Sequence, residues 1–340
     1  MSTVNYEALT LHAITLAEKG LGRTCPNPIV GAVVVDAKGK ILGEGFHNRD
    51  ASPDHAEVVA LKNAGISAKG ATLVVTLEPC NHTGKTGACT DAIISAGITK
   101  VIYAVKDPNP IAMGGHQKLV DAGIEVIAGI CEKEAAQSNR AWLSKIRNGR
   151  PYFVWKIAST LDGKVAAIDG TSQWITNEAS REDVQLLRRQ SDAILVGTNT
   201  VKVDNPHLIP RGQFDGYASN PLRVVCGVAE LDSNSKIFDS AAETLLVKSK
   251  NLEELVRELS SRNLSQVLVE AGPTLGSAML SANLIDEIVI YLAPSLLGSG
   301  KSFMGDLGIS TINDVKHLQM ISSHNFDGDI KVQYAVGGGK

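Results

Sequence analysis

HAEVVALKNAGISAKGATLVVTLEPCNHTGKTGAC, running from His55 to Cys89, is the stretch whose reading decides the fold. Ala56 to Ala64 spaces its apolar residues as a helix does and stops at Gly65. Thr72 to Leu77 is then a strand-length apolar run, the kind buried on both faces of a sheet. Upstream, Tyr6, Leu9, Ala13, Leu16 and Ala17 form a helical stripe ended by Gly20 and Gly22. Ile29–Val35 and Lys40–Phe46 read as strands joined at Ala37-Lys38-Gly39. Downstream come a helix at Thr90–Ala96, a strand at Lys100–Val105, a helix at Gln117–Ala122 and a strand at Ile124–Ala128. One longer helix is predicted over Glu132–Ile146. Strands alternating with helices predict an α/β sandwich containing parallel pairs.

The polar run Arg147-Asn148-Gly149-Arg150-Pro151 is the expected linker. Beyond it a second α/β series is predicted, with strands at Tyr152–Ala158, Ala193–Val196, Leu222–Cys226, Thr244–Val247, Gln266–Val269 and Glu287–Leu292. Helices are predicted at Asn177–Arg189, Leu252–Ser260 and Thr274–Ser281. No internal repeat relates the halves, so two different domains are expected, 1–147 and 151–340. A chain of 340 residues, 44% of them apolar, can fill two such cores. Neither Gln213–Lys248 nor the tail after Gly300 carries a recognisable motif.

The opening stretch also carries chemistry. His55, Cys80 and Cys89 supply one imidazole and two thiolates, a three-ligand zinc set that leaves a fourth tetrahedral position for water. Zinc lowers that water's pKa toward neutrality. Glu57, two residues beyond His55, is placed to shuttle a proton without binding the metal. This is the arrangement of zinc deaminases that attack a ring carbon bearing an exocyclic amine. A closed structural site would instead recruit His82 or Cys25 as a fourth ligand. Eight residues separate the two cysteines where the generic motif has two. That insert brings His82 and Lys85, a pair suited to a phosphate-bearing substrate.

In the second half, Gly272-Pro273-Thr274 follows a strand and opens a helix, so its free backbone N–H groups suit a cofactor phosphate. The Gly-x-Gly-x-x-Gly dinucleotide fingerprint is absent. A formal charge of −3 with no basic tract gives nucleic acid or an anionic membrane no electrostatic footing. No apolar run is long enough to span a bilayer, and Met1–Ala8 lacks a signal-peptide pattern. Five cysteines, an odd and sparse set, read as reduced thiols or metal ligands in a cytoplasmic protein.

Cys25-Pro26-Asn27-Pro28-Ile29-Val30-Gly31, His55-Ala56-Glu57 and Thr76-Leu77-Glu78-Pro79-Cys80-Asn81-His82 together resemble the RibD family of bifunctional riboflavin-biosynthesis enzymes. The resemblance continues through Lys156–Lys164, Ser172–Thr176, Gly197–Val201, Asp204-Asn205-Pro206, Val269–Leu275 and Ala293–Gly298. It implies a cytidine-deaminase-like α/β/α sandwich followed by a dihydrofolate-reductase-like α/β domain. The implied reactions are deamination of 2,5-diamino-6-ribosylamino-4(3H)-pyrimidinone 5′-phosphate, then NADPH-dependent reduction of its ribosyl group to ribityl. His55, Cys80 and Cys89 are the implied Zn2+ ligands and Glu57 the proton shuttle, with Asn27, His82 and Lys85 holding the substrate. In the reductase half, Ala158, Trp174, Thr200, Asp204, Gly272, Pro273 and Thr274 match cofactor positions. Lys156, Ser172, Arg188, Leu208, Arg211 and Glu270 match substrate positions. Arg188 and Arg211 suit the substrate phosphate, and Asp204 or Glu270 could handle the proton. The family habit implies a homo-oligomer, dimer or tetramer. Asp54, directly before the zinc histidine where the family has Pro, is expected to alter the local electrostatics. A zinc nucleobase deaminase with a C-terminal domain that is not a reductase is the competing reading.

Overall fold

The computed structural model describes residues 4–82, 87–212, 214 and 217–337. The chain divides into two compact units, Met1–Gly149 with Gly216–Ala218, and the remainder. In the first unit, α1 (Tyr6–Glu18) leads to β1 (Gly31–Val35), β2 (Ile41–Phe46), α2 (Ala56–Ala64) and β3 (Thr72–Leu77). Then follow α3 (Cys89–Ser95), β4 (Lys100–Val105), α4 (Gly115–Asp121), β5 (Glu125–Ala128), α5 (Glu132–Ser138) and α6 (Arg140–Asn148). The sheet runs β2-β1-β3-β4-β5. The first two pairings are antiparallel and the last two parallel.

Alternate residues of these strands enter opposite cores, as the pleat requires. Val33, Val74 and Ile102 cluster with Ala13 and Leu16 of α1. Val34, Leu73, Val75 and Val101 cluster with Ala60 of α2 and Ile93 of α3. The sheet is therefore covered on both faces, which explains why every residue of β3 is buried. The helix predicted over Glu132–Ile146 is in fact two. Asn139 leaves helical geometry at φ −97 and ψ 18, and its Oδ1 accepts from the Ile29 backbone N–H at 3.4 Å. A tertiary hydrogen bond has overridden local propensity there.

The second unit holds β6 (Tyr152–Thr160), β7 (Lys164–Ala166), α7 (Glu178–Arg189), β8 (Ala193–Gly197), α8 (Thr198–Asp204) and β9 (Leu222–Cys226). It continues through β10 (Thr244–Val247), α9 (Leu252–Ser261), β11 (Gln266–Val269), α10 (Pro273–Ser281) and β12 (Glu287–Ala293). Last come β13 (Lys301–Ser302), β14 (Leu318–Phe326) and β15 (Asp329–Val336). The main sheet runs β10-β9-β8-β11-β6-β12-β15-β14, its first six strands parallel and its last two antiparallel. The motif-free tail after Gly300 supplies that closing hairpin. β14 is largely exposed, so it lacks the apolar alternation by which a half-buried strand is read.

Candidate active sites

The three candidate metal ligands come from three element ends. His55 is the N-cap of α2, Cys80 follows β3, and Cys89 is the first residue of α3. β2 lets α2 come close because two of its residues are glycine: a Cβ on Gly43 would stand 2.4 Å from the Ala64 nitrogen, and one on Gly45 2.7 Å from that of Ala60. His55 Nδ1 lies 3.2 Å from Cys89 Sγ and 3.6 Å from Cys80 Sγ, and all three donor atoms fall within 4.8 Å of one another. A tetrahedral zinc at ordinary Zn–N and Zn–S lengths demands edges of roughly 3.5–3.8 Å, so this donor set fits the ion. Neither His82 nor Cys25 joins the group, which has three members among the described residues.

Charge is tuned around the ligands. The hydrogen bond from Cys89 draws the Cys80 thiol down to about 4 against its burial, with His55 helping, while the same contact and burial push Cys89 up. Glu57 is 4% exposed, and burial raises its carboxyl, the direction a proton shuttle needs. Asn27 Nδ2 donates to His47 Nε2 at 3.1 Å, and His47 Nδ1 in turn donates to the Asp54 carbonyl at 2.9 Å. His47 was invisible to motif reading because only its neighbours give it meaning. His82 Nδ1 is buried with no partner among the described residues. Lys85 lies outside them. The Asp54 carboxylate accepts from Lys62 Nζ at 2.6 Å, so its charge is neutralised beside the site.

In the second unit the strand order reverses between β8 and β11, and ligands of open α/β sheets bind outside the carboxyl ends at such a point. There β11 passes through Glu270-Ala271-Gly272 into α10, whose first turn has no side-chain cap and Pro273 at its start. Thr200 and Asp204 lie on α8. Ser172 and Trp174 precede α7, and Trp174 is 64% exposed, so it is no core residue. Lys156 and Ala158 share one face of β6. Arg188 donates from Nε and Nη2 to the two Glu270 oxygens at 2.5 and 2.9 Å, and Lys156 Nζ stands 3.5 Å from Glu270. Two of Arg188's three nitrogens are thus engaged with the protein. Burial alone would raise Glu270, but the charges of Arg188 and Lys156 hold it at about 2. Glu270 is therefore a fixed anion near neutral pH. Asp204 differs: burial raises its carboxyl, and it has no ion-pair partner among the described residues.

Two family models match the chain, one in each unit. Residues 3–105 match the cytidine and deoxycytidylate deaminase zinc-binding region, and residues 151–332 match the RibD C-terminal domain. The riboflavin biosynthesis protein RibD of Mycobacterium tuberculosis is 45% identical over 311 residues, 91% of each chain. The chain belongs to the RibD family. Its RibD relative from Aquifex aeolicus is 40% identical, covering 94% of this chain and 95% of that one. RibD from Acinetobacter baumannii superposes with a TM-score of 0.89 at 37% identity, over 97% of this chain and 98% of that one. A Thermotoga maritima structure, titled a diaminohydroxyphosphoribosylaminopyrimidine deaminase and 5-amino-6-(5-phosphoribosylamino)uracil reductase, gives 0.87 at 34%, over 97% and 98%. As a RibD, this is a bifunctional deaminase and reductase of riboflavin biosynthesis, with a zinc-binding deaminase region and an NADPH-using reductase domain. The reading with a C-terminal domain that is not a reductase falls with the match over 151–332.

The structure also joins two stretches that lie far apart in sequence. Asp162, in the motif Lys156–Lys164, accepts from the backbone N–H of Leu297 at 3.1 Å and of Gly298 at 2.6 Å. Those two residues belong to the motif Ala293–Gly298. No helix among the described residues is long and apolar enough to cross a membrane.

Proposed function

We propose that residues 1–147 deaminate 2,5-diamino-6-ribosylamino-4(3H)-pyrimidinone 5′-phosphate and that residues 151–340 then reduce its ribosyl group to ribityl. The observation that carries the reading is the convergence of His55, Cys80 and Cys89 with Glu57 two residues from the imidazole. His55, Cys80 and Cys89 would hold Zn2+, which would supply the Lewis acidity that makes water nucleophilic near neutral pH. Glu57 takes the proton from the attacking water and returns it to the amine, which leaves as ammonia. Asn27, oriented by His47, and His82 with Lys85 hold the pyrimidine and its phosphate.

In the second reaction bound NADPH would supply the hydride equivalent, and the chain must deliver a proton to the ring oxygen as the sugar opens. Asp204 supplies that proton, since Glu270 stays ionised between Arg188 and Lys156. Ala158, Trp174, Thr200 and the Gly272-Pro273-Thr274 turn hold the cofactor, with Asp204 alongside. Lys156, Ser172, Leu208, Arg211 and the outer edge of Arg188 with Glu270 hold the substrate. We further infer a cytoplasmic homo-oligomer, dimer or tetramer, acting on this small molecule and not on nucleic acid or membrane; light scattering of the purified protein tests the assembly.

The deciding experiment follows ammonia release and NADPH oxidation from the diaminopyrimidinone substrate, in wild type and in Glu57→Gln. Ammonia first, then NADPH oxidation, with both lost in the variant and reduction restored by supplying deaminated substrate, is the expected result. Ammonia without NADPH oxidation would overturn the reductase half of the reading.

A further inference from the structure

One face of α7 touches three segments that the reduction draws on. Arg181, Gln185 and Arg188 are spaced by four and then three residues, which aligns them in one stripe along the helix. The Arg181 guanidinium stands 4.8 Å from the Trp174 ring centre, and its Nη1 donates to the Thr176 carbonyl at 2.7 Å. Arg188 forks onto Glu270, as described above. Between them sits Gln185, 8% exposed. Its Nε2 donates to the Arg181 carbonyl at 3.3 Å, and its Oε1 accepts from the Arg211 backbone N–H at 3.0 Å.

That last bond has no substitute. Among the described residues it is the one hydrogen bond made to residues 208–211, which belong to no helix or strand. Leu208 in that segment is 3% exposed and holds φ at +53, a region that side-chain-bearing residues seldom adopt. The path of the segment is thus set by its contacts and not by regular structure. A primary amide suits the task, because one buried group must both donate to a carbonyl and accept from an N–H. We propose that Gln185 is a positioning residue of the reduction site, fixing the Leu208–Arg211 segment so that the Arg211 guanidinium is presented to the substrate's phosphate. The proposal rests on the reading of Arg211 as a phosphate ligand.

The test uses the full chain and measures NADPH oxidation against the concentration of deaminated substrate in wild type, Q185M, Q185E and R211A. Met keeps the side-chain volume and removes both hydrogen bonds, whereas Glu keeps the acceptor at Oε1. For Q185M the expected result is a KM raised about tenfold, the scale of one buried hydrogen bond, with kcat changed by less than about twofold. NADPH affinity stays at the wild-type value, which also reports that the domain is folded. Q185E returns KM to within about threefold of wild type, and dephosphorylated substrate abolishes the difference between Q185M and wild type. If R211A raises KM and Q185M does not, the inference fails while the reading of Arg211 stands. An unchanged KM in R211A removes the reading of Arg211 and the inference with it. Parallel losses of kcat, KM and NADPH affinity in Q185M that Q185E does not reverse mean a structural role only. Should Q185M not fold, a Q185E enzyme with KM raised tenfold would also overturn the proposal.

Discussion

Glu57 and Glu270 are both buried carboxylates, yet their surroundings drive them in opposite directions. Glu57 is raised by burial, and Glu57→Gln, which keeps the shape but cannot carry the proton, is expected to lower kcat for ammonia release by roughly 10²–10⁴. Metal analysis of the same sample should still find one zinc per chain, because Glu57 is no ligand. Glu270 lies at about 2, below its ordinary 4.5. A group lowered in this way stabilises the fold fully above pH 4.5, and that contribution is lost as pH falls from 4.5 toward 2. Urea melts of the reductase unit at stepped pH should lose about 3 kcal/mol over that window, with Glu270→Gln flattening the slope. At this scale the sequence was legible where chemistry is written in residue type, as in His55, Glu57, Cys80 and Cys89. It was opaque where only direction matters. Arg188 and Arg189 are adjacent and identical in kind, yet Arg188 meets Glu270 while Arg189 holds the Ser219 carbonyl and the Asn220 side chain.

Elements place these residues, and α2 lies close against β2. Gly45→Ala would put a Cβ 2.7 Å from both the Ala60 nitrogen and the Val59 Cβ, so the helix must lift or the strand must bend. The expected cost is about 1–3 kcal/mol of stability. Because α2 carries His55, zinc affinity measured by competition with a chromophoric chelator should fall too. Wild-type affinity in Gly45→Ala would show that the lift is absorbed elsewhere. Element type was legible where an apolar stripe had helical spacing, as at α1, or where a short apolar run had strand length, as at β3, β4 and β9. The run Glu132–Ile146 misled because the break at Asn139 depends on the Ile29 N–H, more than a hundred residues away in sequence. The β14–β15 hairpin was missed because so much of β14 faces outward.

At the scale of the molecule, each unit has its own sheet and its own core. Removing zinc is therefore expected to act on one unit only. With a strong chelator present, calorimetry should shift a single transition downward, and reduction of pre-deaminated substrate should continue at its original rate. Loss of both activities together would contradict that independence. That the chain holds two α/β domains was readable from the alternation of patterns. The candidate reductase site was not readable from its motifs alone, since Lys156 of β6, Arg188 of α7 and Glu270 just after β11 meet only in the folded unit.

Cys80 and Cys89 hold their sulfurs within 4.8 Å, and the Cys89 backbone N–H already points at the Cys80 sulfur, 3.5 Å away. Bound zinc keeps such a pair apart from oxidants. Chelated in the presence of oxidised glutathione, the two thiols lose two electrons and two protons and join as a disulfide, while the glutathione is reduced. The cross-linked site can no longer offer two thiolates, so added zinc alone should fail to restore ammonia release, whereas dithiothreitol followed by zinc should succeed. The ion that serves the deamination is also what guards its own ligands against oxidation.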